Sequence, residues 1–259
     1  DLIQAPSTDD IALVKNTSEG LSILSQGLDW RPGDNVVGIA QEFPSNRIPW
    51  EALQDEGVTY RTLDLYATED PEAALEQLCD DRTRVVAVSS VQYARGLRLD
   101  LERLSASCRR LGILLFVDAI QSLGAMPFDL NRIPADAVVA DGHKWMLGPE
   151  GIALLYVAPG LRPRLRLHQF GWHMIAHPGD YDRTDWTPSP TATRFECGSP
   201  NLLGIHALEA SLSLLQEAGM EPVAAAIEQR VGRRMDLMDQ AGFEVLTPRN
   251  PTRRARILT

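Results

Sequence analysis

The chain has 259 residues, 44% hydrophobic and 23% charged, with a formal charge of −10; this suffices for a substantial core and speaks against a nucleic-acid partner, which would need clustered Lys and Arg. No apolar run reaches membrane-span length and the amino end, DLIQAPSTDD, has neither a basic segment nor an apolar signal core, so a soluble, cytoplasmic protein with no membrane partner is expected. Cys79, Cys108 and Cys197 are odd in number and widely spaced, which suits neither a zinc site nor a disulfide framework and reads as reduced, mostly packed thiols.

In chain order, VKNTSEGLSILSQGL puts Thr17 and Ser18 at the start of an amphipathic helix with Leu21, Leu24 and Leu28 on its inner side. β-rich runs then appear at 35–40, 58–63, 84–91, 113–119, 137–140 and 152–157. Between them lie helix-like segments, Pro71 to Cys79 with an early Pro, and Asp100 to Leu111 with Leu101, Leu104, Cys108 and Leu111 on one face. Strand alternating with helix predicts an α/β fold with a mostly parallel central sheet flanked by helices. The last two runs, in ADAVVADGHKWMLGPEGIALLYV, leave no room for a helix between them, so they predict a hairpin and one antiparallel edge strand. Residues beyond Leu161, rich in Pro, aromatics and polar groups without a period, read as a long ordered excursion. Two helices follow, Asn201 to Glu217 and Glu221 to Ala241, the first opened by Ser199 and Pro200 in cap-like positions.

The chain begins without Met and stops at RRARILT, where RILT looks like a strand just starting. The expected organisation is a large domain over residues 1–241, missing its amino-terminal segment, and the start of a truncated small domain over 242–259.

Ligands of open parallel sheets bind outside the carboxyl ends of the strands. Asp118 closes the apolar run ILLFVD, Phe43 follows NVVGIA, and Lys144 sits in the hairpin connection with Asp141, His143 and Trp145. Each has an ordinary explanation when taken alone: a helix cap or salt bridge for Asp118, capping for Thr17 and Ser18, packing for Phe43. Together they match the needs of pyridoxal phosphate. A lysine forms the Schiff base, an acid pairs with the pyridinium nitrogen, a helix start takes the phosphate and an aromatic ring stacks on the pyridine.

The ordered set NTSE, QEFPSNRIPW, VDAIQS, DGHKWMLGPEGIALLYV and RFECGSPN resembles the class V aminotransferases of the fold-type-I pyridoxal phosphate enzymes, which include cysteine desulfurases, kynureninases and isopenicillin N epimerase. The resemblance covers essentially the whole chain. It implies a fold-type-I large domain with the small carboxyl-terminal domain largely missing. It further implies that Lys144 carries the cofactor, that Asp118 holds the pyridinium proton, and that Gln121 bonds the phenolic oxygen. Thr17, Ser18 and His143 would reach the phosphate, and Phe43 would take the stacking place that is a histidine in desulfurases. Gly198 and Ser199 match a segment that these homodimers insert into the partner's phosphate site, so a homodimer with shared sites is implied.

There are departures. Ser90 stands where desulfurases carry an asparagine, with Gln92 as a substitute; Asp141 replaces a hydroxyl residue and, since it would repel a phosphate, should bond to a neighbour. The family's substrate-carboxylate arginine and the desulfurase cysteine fall beyond Thr259. The expected function is that of an aminotransferase-like enzyme acting on an amino acid or related primary amine. Cysteine desulfurase or lyase chemistry is the alternative, with kynureninase-like or epimerase chemistry behind it and a degenerate, cofactor-binding member as the non-enzymatic one.

Overall fold

In a computed structural model, which describes residues 2–259, seven strands form one sheet. They are β1 (Ile11–Val14), β2 (Asn35–Ile39), β3 (Thr59–Leu63), β4 (Thr83–Ser89), β5 (Leu114–Asp118), β6 (Ala137–Asp141) and β7 (Ala153–Val157), in the order β1-β7-β6-β5-β4-β2-β3. The run from β6 to β3 is parallel, and β7 pairs antiparallel with both β6 and β1.

The apolar strands alternate between two cores, which is why they read as continuous hydrophobic runs. Val86, Val88, Leu115, Val117, Val138 and Ala140 face one core, with Leu75, Leu104 and Leu208. Val85, Ala87, Phe116, Ala137 and Val139 face the other, with Leu21, Leu24, Trp50 and Leu53. Helices α3 (Pro71–Leu78), α4 (Leu101–Leu111) and α5 (Leu202–Ala218) cover the first face; α1 (Thr17–Gly27) and the one-turn α2 (Ile48–Glu51) cover the second. Asp70 and Asp100 cap α3 and α4 by accepting from Ala73 N at 3.1 Å and Arg103 N at 3.0 Å. Gly20 lets α1 lie on β6, since a Cβ there would stand 2.7 Å from Val139 Cγ2.

The antiparallel edge expected from the hairpin is present, and β1, at four residues too short a run to carry a period in the sequence, adds one more strand outside β7. Three local expectations change. Leu111, on the last turn of α4, points into solvent. Residues 256–259 form no strand; Thr259 N instead donates to Thr247 Oγ1 at 2.9 Å, and Ala255 N to Gly96 O at 2.7 Å. The cap of α5 is Asn201, whose Oδ1 accepts from Gly204 N at 3.0 Å, not Ser199. α6 (Met220–Gln240) follows after Gly219. The 162–201 excursion holds single helical turns at Arg162–Arg164 and Ala192–Phe195.

Candidate active site

The strand order creates the site. β2 is followed by β3 on one side of it, whereas β4, its other neighbour, is followed by β5 on the opposite side. The connections therefore diverge above the carboxyl ends of β2 and β4, which is where open α/β sheets form a binding crevice. Glu42 and Phe43 leave β2 at this point, Ser89 and Ser90 leave β4, Asp118 ends β5, and the loop with His143 and Lys144 leaves β6.

Asp118 is buried, with its Oδ1 accepting from Ile120 N at 3.0 Å. Burial pushes its carboxyl up to about 7; the ammonium of Lys144 pulls it down and Asp141 adds to the rise. Lys144 Nζ lies 5.8 Å from the centroid of the Phe43 ring. That ring is 47% exposed, so it is presented to the crevice rather than packed away, and Tyr93 meets it edge-on at 5.4 Å. The Lys144 turn is tightly built. Leu147 takes φ 58°, Gly148 N donates to Gly142 O at 2.8 Å, and a Cβ on Gly124 would collide with Trp145 O at 2.1 Å. Gly124, at φ 91°, thus lets the turn after β5 touch the turn after β6. Across that contact Trp145 Nε1 donates to Gln121 Oε1 at 3.4 Å.

At the start of α1, Asn16 is the cap and accepts from Glu19 N at 2.8 Å. Thr17 N donates to Asp141 Oδ2 at 3.1 Å, the neighbour bond expected for that carboxylate. Thr17 Oγ1 and Asp141 Oδ1 are buried without a hydrogen bond among the described residues. His143 Nδ1 is 3.9 Å from Asp141 Oδ1, and Ser18 Oγ donates to Ser45 Oγ at 2.7 Å.

Lys144, Asp118, Phe43, Gln121, His143 and Thr17 thus gather around the strand ends. Gly198 and Ser199 do not join them in the single chain. They line a cleft of about 220 Å³ with Lys15, Glu19 and Gly151, and no hydrogen bond ties them to Thr17, Asp118 or Lys144 among the described residues. Gln92 is not available as the substitute considered for Ser90: its Oε1 accepts from Ala94 N and Arg95 N, and its Nε2 donates to Gln41 O at 3.0 Å. Ser90 Oγ instead pairs with Ser122 Oγ at 2.8 Å. Of the thiols, Cys108 is buried and Cys79 and Cys197 are half-buried.

Sequence reasoning passed over Glu42. Its side chain is buried and accepts from Ser89 N at 2.6 Å and Ser89 Oγ at 2.5 Å. The signal that found Asp118, an acid just past an apolar strand, was present here too, but the adjacent Phe43 took its place.

The family model described as aminotransferase class-V matches residues 1–259. This chain belongs to the class V aminotransferase family. Class V relatives include a probable cysteine desulfurase of Methanothermobacter thermautotrophicus, 32% identical over 219 residues, which are 84% of this chain and 54% of the relative. A cysteine desulfurase of Yersinia pestis is 30% identical over 263 residues, covering all of this chain and 64% of the relative. The chain thus spans between half and two-thirds of these class V relatives. Among solved structures, the apo cysteine desulfurase of Thermococcus onnurineus superimposes with a TM-score of 0.86 at 26% identity, over 97% of this chain and 63% of that one. A lysine-to-alanine variant of C-DES, with glycine covalently linked to its PLP cofactor, gives 0.87 at 28% identity over 95% and 66%. C-DES is also known in complex with cysteine persulfide, its reaction product as a cystine C-S lyase. Class V enzymes are pyridoxal-phosphate-dependent, and the fold here is theirs.

Proposed function

We propose that this chain is the cofactor-binding part of a pyridoxal phosphate enzyme acting on an amino acid or related primary amine. The observation that carries the reading is the placement of Lys144 beside Asp118 at adjacent strand ends, with the lysine amine near the exposed face of Phe43. The residues suit the group. An unpartnered buried hydroxyl, Thr17 Oγ1, at a helix start favours an anion. A buried carboxyl beside a lysine favours a protonated ring nitrogen. When bound, the cofactor withdraws electrons from the carbon next to the substrate amine.

The chain's residues supply the rest. Lys144 would hold the cofactor, and its amine would move a proton at the substrate's α-carbon. Asp118 would keep a proton on the ring nitrogen. Thr17, Ser18 and His143 would hold the phosphate, Gln121 would bond the phenolic oxygen, and Phe43 would cover the ring. Gly198 and Ser199 serve the site of a second subunit in a homodimer, which explains a cleft-lining segment that does not cap its own helix. Residues 1–241 act as the large domain and 242–259 begin a smaller one; the enzyme works in the cytoplasm.

Amino-group transfer is the first reading. Phe43, in the stacking place that is a histidine in desulfurases, offers no titratable group over the cofactor. Cleavage of a C–S bond in cysteine or cystine is the second reading, favoured by the names of the relatives. Protein reconstituted with pyridoxal phosphate separates the two when offered amino acids with and without a keto-acid acceptor. Multiple turnovers of keto acid only with the acceptor, and no more than one equivalent per site without it, support transfer; sulfide or persulfide from cysteine or cystine without it supports cleavage. No spectral change with any amine would overturn both.

A further inference from the structure

Glu42 has no part in the chemistry above, yet it stands at the point where the connections from β2 and β4 diverge. Its two carboxyl oxygens take both donors of Ser89, the amide at 2.6 Å and the hydroxyl at 2.5 Å. Ser89 is the last residue of β4 and pairs in register with Asp118 on β5. The next residue after Glu42 is Phe43. One side chain therefore ties the turn bearing the exposed ring to the strand beside the buried aspartate.

Among the described residues no cation is paired to it. Asp118 faces it from β5, Tyr60 from β3, Ser89 from β4 and Asn46 from the helical turn that follows Phe43. Tyr60 Oη is directed at Ile39 O, and Asn46 Oδ1 accepts from Trp50 Nε1 at 3.0 Å. Lys144 acts on Asp118 instead. Two enclosed carboxyl groups, at strand ends separated by β4, act on each other while the Lys144 ammonium acts on Asp118, so the arrangement accommodates one negative charge far better than two.

We propose that Glu42 is a positioning residue of this site: an uncharged carboxyl clamp that fixes the Phe43 turn to the end of β4 and leaves Asp118 as the one anion facing the cofactor. Burial, with Asp118 adding to it, pushes the Glu42 carboxyl up to about 8, while the Ser89 bonds pull it down. The clamp holds its proton through neutral pH and loses it in mild alkali. A second charge then appears beside Asp118, favouring a protonated Asp118 over an ionised one and weakening its hold on the ring nitrogen.

This inference rests on the proposed cofactor reading for its consequence but not for the clamp itself, and the test separates them. In cofactor-free protein, isotope-edited infrared spectroscopy should show a protonated glutamic acid band that disappears with a midpoint near pH 8 and is missing in Glu42→Gln. Ser89→Ala should move that midpoint upward, because the ionised form loses a donor; a variant that merely loosened the turn would move it down toward the solvent value. Exchange of the Ser89 amide hydrogen should rise at least tenfold in Glu42→Ala and far less in Glu42→Gln, whose amide oxygen still accepts. With pyridoxal phosphate added, the wild-type dissociation constant should climb through the same midpoint, and in Glu42→Gln that climb near pH 8 should be missing. A Glu42 carboxyl already ionised at pH 6, or an unchanged pH dependence of binding in Glu42→Gln, would overturn the clamp. If no variant binds the cofactor at any pH, the cofactor reading fails, and the infrared and exchange results decide the clamp alone.

Discussion

At pH 8, replacing Asp118 with Asn should make the cofactor-free fold more stable, not less. The Asp118 carboxyl is enclosed and moved from an ordinary 3.8 to about 7, chiefly by burial. A raised pKa in the folded chain means that the folded state holds the proton more tightly than the unfolded one. The group's contribution is then complete below about pH 4 and is lost as pH rises through about 7. At ~1.4 kcal/mol per tenfold, the full loss is about 4 kcal/mol. Asn stays neutral and keeps an oxygen for Ile120 N, but its NH₂ needs a partner in the crevice, which returns about 1–3 kcal/mol. The variant should therefore exceed wild type by about 1–3 kcal/mol at pH 8, and near pH 4 the order should reverse, leaving wild type about 1–3 kcal/mol the more stable. Urea unfolding of both cofactor-free proteins at several pH values measures this, provided the denaturant slopes agree. A difference that does not vary with pH, or one that turns against Asn as pH rises, would refute the claim that Asp118 is an ionisable group kept at the cost of stability. The same variant should bind pyridoxal phosphate yet lose α-proton exchange by orders of magnitude, since a neutral pyridine is a poor electron acceptor.

Lys144→Ala should abolish borohydride-reducible attachment of the cofactor while unfolding at nearly the wild-type denaturant midpoint; Lys15, the only other lysine in the sequence, is the control, and label on a Lys15 peptide would count against the assignment. Gly20→Ala should destabilise by about 1–3 kcal/mol through overpacking on Val139, despite better helix propensity, and adding Val139→Ala should restore part of that; a stabilised single variant would mean that α1 shifts freely on the sheet. Trp50→Ala should cost about 3–5 kcal/mol by urea unfolding, since the indole is fully buried 6.0 Å from the Phe116 ring and bonded to Asn46. Mixing Lys144→Ala protein with Ser199→Asp protein should regain activity, up to half the normal level per mixed dimer, if Ser199 serves the partner's site; continued inactivity after verified subunit exchange would exclude that.

Much of the candidate site was legible because its residues lie just past apolar strands, and a run such as ILLFVD announces both a buried strand and the acid at its end. Lys144 stood out by its polar company between two apolar runs. Ser199 illustrates the opposite case: Ser-Pro is a common opening for a helix, but the chain reaches α5 two residues later, and Asn201, whose side chain comes within reach of Gly204 N, became the cap. Gln92 looked like a free amide in VSSVQYARG, yet its turn uses both ends of that amide.

Local pattern determined the alternation of strands and helices, the two-sided burial of β2, β4, β5 and β6, and the placement of Asp118, Phe43 and Lys144 just at or past strand ends, because each depends on neighbours within a few residues. The resemblance carried by ordered motifs determined the family. Tertiary structure alone decided strand order, the pairing of β1 outside β7, and the meeting of Glu42 with Ser89 across 47 positions of sequence. It also decided the contact of Asp141 with Thr17 across 124. The reason is physical: a strand's hydrophobic period records which faces are buried, not which strand lies beside it. A carboxyl group's charge likewise depends on the water and partners left around it once the chain has closed.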